Sequence, residues 1–461
     1  MSDNALRFLI DFGSTFTKLV VVDLDRERIV CRHQTPSTVE TDVTVALRLL
    51  LERVRKETGL APNGNGALVA CSSAAGGLRM VTVGLVPSLS SEAGVRAALG
   101  AGAKVVKSFS FNLSLSDVRE IAAISPDVIL LIGGTDGGDK KVIIHNAGML
   151  LGLPVQCPIV VAGNHDAVDE IEAIFANSGR TVVFAANVMP EIGTLSVDSC
   201  REAIRRIFVS HIIKAKGIDK ALTLVDETII PTPSAVLKAA SLLADGVPGE
   251  EGLGELMVID VGGATTDVYS IAKGYPTRGD VMTHGLPEPY AKRTVEGDLG
   301  VRHNIDTLLE MGEARGVFRD SRPEAVKECF AVPSKLPEND FEFGCDALLA
   351  AVCVDVAGER HCGKLKIILG PMGEICIQEG KDLSDVRCVI GTGGPLVFAR
   401  DPAAILDKIL FRASAPHTLR PKEAALRLDA GYVLYAMGLL SASEPKSALR
   451  LMKQAIRPLL G

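Results

Sequence analysis

The stretch FLIDFGSTFTKLVVVD, Phe8 to Asp23, returns in altered form as MVIDVGGATTDVYSI, Met257 to Ile271. Each runs as an apolar strand, an Asp, one apolar residue and a Gly, followed by small and hydroxyl-bearing residues. Asp11 therefore matches Asp260, and Gly13 matches Gly262, 249 positions further on. A strand that ends in a carboxylate and turns on glycine presents backbone N–H groups to an approaching anion, because no Cβ stands in the way. One such turn is also ordinary hairpin chemistry, the Asp hydrogen-bonding its turn and the Gly supplying positive φ. Two matched copies in one chain point instead to two jaws around one polyphosphate.

Two carboxylates beside a triphosphate repel it, by about 4 kcal/mol for a like-charged pair roughly 4 Å apart at an effective dielectric of about 20. A divalent cation has to lie between them. Mg2+ suits this, because it keeps several of its waters and needs only one or two carboxylates besides phosphate oxygens; Asp11 and Asp260 would hold it largely through those waters. Asp267 follows Asp260 at the spacing with which Lys18 follows Asp11, so one turn ends in a cation and the other in an anion. Lys18 pairs either with phosphate oxygens or with a carboxylate, and Asp267 or Asp260 orients the attacking water. Asp11, Asp260 and Asp267 are thus the candidate catalytic carboxylates, and Ser14, Thr15, Thr265 and Thr266 add hydroxyl donors. Two further loops are glycine-rich. GTGGPLV, Gly391 to Val397, lacks the last glycine of the dinucleotide fingerprint and reads either as a ligand loop or as a structural turn. GGTDGGDK, Gly133 to Lys140, sets four glycines around Asp136 after an apolar strand, an entropic cost that makes sense if something approaches the backbone.

Composition bounds these readings. The 461 residues are enough for two or three cores, and 47% apolar with 23% charged residues is an ordinary globular balance. A net charge of −7, without a local basic patch, argues against nucleic acid and anionic membrane as partners. Met1 to Ile10 lacks the basic start of a secretory signal, and no apolar run reaches bilayer-spanning length. The ten cysteines form no CxxC pair, and His361 beside Cys362 lacks partners at ligand spacing, so reduced core thiols in a cytoplasmic protein are expected.

Strands alternate with helices, the pattern of α/β layers. The periodicity predicts helices over Asp42 to Thr58 with Gly59 as stop, Ser116 to Ser125, Asp166 to Asn177, Asp198 to Lys216, Pro233 to Ala244 and Pro402 to Phe411. Buried strands are predicted at Ala67 to Ala70, Val128 to Ile132, Pro158 to Ala162, Val258 to Asp260 and Val386 to Ile390. DGVPGEEGLGE, Asp245 to Glu255, is the most linker-like stretch. It divides the chain into expected lobes 1–245 and 256–461, between which the chain is free to cross.

The segments DFGSTFTK, DVGGATTD and IGTGGP resemble the first phosphate, second phosphate and adenosine elements of the actin, Hsp70 and sugar-kinase ATPase superfamily. More narrowly, LLIGGTDGGDKKVIIHNA (Leu130 to Ala147), VVAGN (Val160 to Asn164), NVMPEIGTL (Asn187 to Leu195), PTPSAVLKAA (Pro231 to Ala240) and KRTVEGDLGVR (Lys292 to Arg302) resemble the glutamate mutase L family. Its members are also called MutL and are unrelated to the mismatch-repair protein of that name. The resemblance covers nearly the whole chain. It implies two actin-like, ribonuclease H-like lobes around a nucleotide cleft. ATP and Mg2+ would be the ligands, and the subunits of an adenosylcobalamin-dependent mutase, glutamate mutase or an aminomutase, the partners; the oligomeric state stays open. It assigns Asp11, Gly13, Ser14, Thr15 and Lys18 to the phosphates, Asp260, Gly262, Gly263, Thr265 and Asp267 to the opposite side, and Gly391, Gly393 and Gly394 to adenosine. Ala264 stands where Gly or Thr is common, which leaves one hydroxyl contact unassigned. EGDLG, Glu296 to Gly300, is either an acidic loop near nucleotide or a helix start at Asp298.

The function expected is a slow ATPase that reactivates or assembles the mutase. A small-molecule kinase or an ATP-dependent, hydantoinase-like amidohydrolase on the same fold is the alternative, with a filament-forming protein as a third. None of the eight histidines has Asp two residues before it and Gly three after, so base-off cobalamin is expected on the partner.

Overall fold

The computed structural model describes residues 5–38, 41–62, 67–73, 78–208, 229–317, 323–330, 335–370 and 373–459. β1 (Leu6–Phe12) and β2 (Phe16–Asp23) form the first hairpin, with Asp11 opposite Lys18, and β3 (Arg28–Pro36) pairs antiparallel to β2. α1 (Val43–Thr58) starts where the Asp42 side chain accepts from the Thr44 N–H and ends at Gly59 in the left-handed conformation, as the sequence predicts. β4 (Leu68–Ser72) then lies parallel to β1.

The chain next leaves this sheet for another. β5 (Leu78–Gly84), α2 (Glu92–Gly100), β6 (Ala103–Ser110), α3 (Leu115–Ile124), β7 (Val128–Leu131), α4 (Lys141–Leu151), β8 (Ile159–Val161), α5 (Val168–Phe175) and β9 (Val182–Phe184) alternate regularly, followed by α6 (Asp198–Ile207). The five strands are all parallel, in the order β6-β5-β7-β8-β9. This is a doubly wound insertion with its own core of Val81, Ile129, Ile159, Ile143 and Ile171. Of its five strands the sequence predicts only β7 and β8; β5, β6 and β9 were missed, as was the fact that the five form a sheet of their own. A short, fully buried apolar run reads the same whichever sheet it joins. Of the helix expected over Asp198 to Lys216, the part beyond Phe208 lies outside the described residues.

β10 (Ile230–Pro231) returns beside β4 and completes the order β10-β4-β1-β2-β3, and α7 (Thr232–Asp245) follows. The linker-like stretch folds into a small hairpin of β11 (Gly246–Val247) and β12 (Glu250–Glu251), clasped by Arg450 and Lys453 on Glu250. The second half supplies β13 (Leu256–Val261), β14 (Thr266–Ile271), β15 (Val281–His284), β16 (Ala291–Glu296), α8 (Ile305–Ala314), α9 (Pro323–Cys329) and α10 (Asp340–His361). It continues with β17 (Lys364–Gly370), β18 (Gly373–Glu379), β19 (Cys388–Thr392), α11 (Gly394–Val397), α12 (Pro402–Leu406), β20 (Ala425–Asp429), α13 (Leu434–Leu440), α14 (Pro445–Ala455) and β21 (Ile456–Pro458).

The sheet β16-β14-β13-β19-β20-β21 repeats, in its first five strands, the order and strand directions of β3-β2-β1-β4-β10. The near-repeat in sequence is therefore a repeat in topology, and the chain is an α/β protein built on two actin-like sheets. The equivalent helices α7 and α13 pack against each other between the sheets. A Cβ on Gly438 would stand 1.9 Å from the carbonyl oxygen of Ala235, so only glycine allows the approach. Leu9 and Val20 from one sheet and Val258 and Tyr269 from the other share one core with Ala239, Leu243, Leu434 and Met437. That core holds the two Asp-x-Gly turns at opposite sides of one cleft.

Candidate functional site

The two turns open into a single cavity of about 240 Å³. They face each other: a Cβ on Gly263 would lie 3.7 Å from Thr15 Oγ1. The glycines divide by what surrounds them. A Cβ on Gly13 would come within 2.3 Å of the Phe16 carbonyl oxygen, and one on Gly262 would reach the Thr265 carbonyl oxygen at 3.0 Å, so these two glycines serve the turns themselves. Gly263 and Gly394 meet only ordinary contacts or open space and are turned to the cavity. Gly393, at φ 92°, presses the third loop onto Val261 and Asp260. Gly391 is not brought to the cleft: it lies inside β19 against Leu396 and Leu406. Asp11, Gly13, Ser14, Thr15, Lys18, Asp260, Gly262, Gly263, Thr265, Asp267 and Gly394 all line the cavity.

Lys18 Nζ donates to Asp11 Oδ2 at 3.0 Å, so the carboxylate is its partner in this structure. Burial opposes the charge on Lys18, but Tyr432 and Asp11 outweigh it and hold its pKa above the ordinary lysine value. Its ammonium also sits 4.3 Å from the ring centre of Tyr432. Asp11 accepts a second hydrogen bond, from Thr232 Oγ1 at 2.6 Å. Asp267 is engaged by Arg293, whose Nε donates to Oδ1 at 2.7 Å, and by Thr265 Oγ1 at 3.2 Å. Asp260 remains partly open to the cleft. Burial first, then the charge of Asp267, lifts its pKa from 3.8 to about 7 against the opposing pull of Lys18; Asp11 and Asp429 add to the rise.

Arg293 and Thr232 were not singled out from sequence. Arg293 joins the cleft to the inserted sheet, because its Nη1 donates to the carbonyl oxygens of Leu99 and Ala103, both at 3.1 Å. Its strand, AKRTVE, carries Lys292, Thr294 and Glu296 besides Arg293, so nothing local marked Arg293 out. Tyr432 holds φ of 50°, uncommon for a bulky side chain. Nothing in its sequence neighbourhood announces this.

The EGDLG stretch packs on the second turn: a Cβ on Gly300 would stand 2.3 Å from the Ala264 carbonyl carbon, and just beyond it Val301 N–H donates to the Gly262 carbonyl and Arg302 N–H to that of Gly263. The helix-start reading is corrected, since α8 begins at Ile305 and Asp298 is held instead by Arg360. GGTDGGDK lies away from the cleft, at the end of β7, and what approaches its glycines is the protein's own backbone. A Cβ on Gly134 would stand 2.1 Å from the Asp139 carbonyl oxygen, and one on Gly163 2.7 Å from the Gly133 nitrogen. Asp136 accepts from the His165 N–H and from Asn187 Nδ2. His361 is buried between Thr294 and Ser270, both at 2.8 Å. No described helix is long and apolar enough to cross a membrane.

A family model described as MutL protein matches residues 7–456. Protein MutL of Clostridium tetanomorphum is 44% identical over 452 residues, which cover 97% of this chain and 98% of that protein. Among solved structures, the activator of the 2-hydroxyisocaproyl-CoA dehydratase from Clostridium difficile with bound ADPNP is 11% identical, covers 98% of this chain and 95% of its own, and has a TM-score of 0.32. Ethanolamine utilization protein EutJ from Carboxydothermus hydrogenoformans is also 11% identical, covers 96% and 89%, and has a TM-score of 0.30. At such TM-scores the fold assignment rests on the repeated sheet order of the chain itself. The family match and the identity along nearly the full length make the chain a member of the MutL protein family.

Proposed function

We propose that this chain binds MgATP between its two Asp-x-Gly turns and acts as a slow ATPase that reactivates or assembles an adenosylcobalamin-dependent mutase. The observation that carries the nucleotide reading is the apposition of Gly263 and Thr15 across the cavity, with Asp11 and Asp260 at its base. The residues fit a cation-bound polyphosphate. Burial, and after it the charge of Asp267, raises the Asp260 pKa to about 7, a cost to its negative form that a divalent cation would relieve. Asp11 and Asp260 would hold Mg2+ through its waters, and the ion would supply charge neutralisation for the phosphates. Ser14 and Thr15 would donate hydroxyl hydrogen bonds to phosphate oxygens, and Thr265 would do so by giving up its bond to Asp267. Asp260 is the group suited to hold or take a proton from the attacking water, while Arg293 fixes Asp267 beside it. Gly393 and Gly394 form the edge that receives adenosine.

The mutase reading rests on family membership and on the resemblance to glutamate mutase L; glutamate mutase and aminomutases are the candidate partners. Closure of two lobes, 1–245 and 256–461, on the nucleotide would convert its state into partner affinity. Cytoplasmic location follows from that partnership. The first test is thermal unfolding with and without millimolar MgATP, which stabilises the native state by RT ln(1 + [L]/Kd). An unchanged melting curve would sink the nucleotide reading. The second is recovery of an inactivated mutase, expected only with both this chain and ATP. Phosphate release driven by a small metabolite without any mutase would favour a kinase or amidohydrolase instead.

A further inference from the structure

We propose that the small sheet β15-β18-β17 is the surface through which two copies of this chain pair, edge to edge along β17. The inference is independent of the nucleotide reading. Among the described residues, β17 pairs with β18 on one side only. On its other side, among the same residues, just the first positions are covered: the Leu365 N–H donates to the His417 carbonyl at 2.8 Å and Lys364 bridges Thr418. The N–H and C=O groups of alternate residues leave a strand on the same side, so the outward groups after Leu365 are those of Ile367 and Leu369. The side chains there are apolar and in solvent: Ile367 is 56% exposed, Ile368 46%, Leu369 87% and Met282 63%. Both faces carry them. Ile367 lies opposite Cys376 and Val281 on one face, and Ile368 lies opposite Ile375, next to the Ile377–Met282 pair, on the other. An apolar strand edge left open in this way is a template for another chain.

A second copy fits this edge in one register. With a two-fold axis at Ile368, Ile367 of each copy faces Leu369 of the other, so all the outward groups of both residues exchange hydrogen bonds. Ile368 then meets its own counterpart, and Lys366, already paired with Glu379 at 2.6 Å, falls opposite Gly370. An axis at Ile367 would require the Leu365 N–H that His417 occupies. An axis at Lys366 would set two lysines directly opposite each other. The free backbone groups and the avoidance of facing lysines therefore select the same pairing, which joins the two small sheets into one of six strands.

Sedimentation equilibrium of the full chain over a range of concentrations tests this. The expected result is a mass that doubles with concentration. Ile367→Pro removes an outward donor without touching the ladder to β18, and the dissociation constant should rise at least about tenfold. Ile368→Lys and Ile368→Glu should each be monomeric, and a mixture of the two should dimerise, since Lys then faces Glu at the axis. Circular dichroism melting of each variant checks that the fold is kept. A wild type that stays monomeric at every concentration, a dimer indifferent to Ile367→Pro, or a charge-swapped mixture that fails to associate would each overturn the proposal.

Discussion

Replacing Asp260 by Asn should stabilise the empty protein, and by an amount that grows with pH. In the folded chain burial, and then the charges of Asp267, Asp11 and Asp429, raise the carboxyl's pKa from 3.8 to about 7. Between these values the folded state binds a proton that the unfolded state has released. Stability therefore falls as pH rises through the window, and the penalty is complete above about pH 7. At about 1.4 kcal/mol per pH unit the full penalty has a ceiling of about 4 kcal/mol. Because Asp260 is partly open to the cleft, water screening brings this to about 2 kcal/mol. Asn carries no charge at any of these values and escapes the penalty. Denaturant unfolding of both proteins without nucleotide should show the advantage of Asp260→Asn widening by about 1–2 kcal/mol between pH 5 and pH 8. An advantage that is absent, or equal at the two pH values, would show that neither burial nor its neighbours' charge raises the Asp260 pKa. The same variant should still bind nucleotide but hydrolyse it at least about tenfold more slowly, because the group placed to accept a proton from water is gone.

Gly263→Val should leave the fold intact, since its Cβ would keep 3.5 Å from Arg302, yet abolish the MgATP-induced melting shift by filling the cavity. Gly13→Ala should behave in the opposite order, losing about 1–3 kcal/mol of stability from the clash with the Phe16 carbonyl whether or not nucleotide is added. Arg293→Ala leaves Asp267 buried without its partner and should cost about 3–5 kcal/mol in unfolding experiments. Because Arg293 also holds the Leu99 and Ala103 carbonyls, hydrogen exchange should speed up around α2 and β6. The isolated chain should take up no cobalamin on titration, read as an unchanged cofactor spectrum, and its effect on a mutase should vanish without ATP.

Local chemistry made the framework of this protein readable in one dimension. An Asp followed by an apolar residue and a Gly states its own turn, and α1 announces both its Asp42 cap and its Gly59 stop, because these features are satisfied within a few residues. The duplication followed from seeing the same local statement twice. What needed the tertiary structure involves partners far apart along the chain. Arg293 meets Asp267 26 residues away and Leu99 194 residues away, and no spacing rule connects them. The parallel strands β5 to β9 join through crossovers, so their sheet order depends on packing rather than on any one run of residues. The glycines of GGTDGGDK showed in sequence that a backbone must come close, but not that it was the chain's own at Asp139 and Gly163. Gly391, alike in sequence to Gly394, parted from it because it lies within β19 against Leu396 and Leu406, whereas Gly394 stands past the strand's end, at the start of α11, open to the cleft.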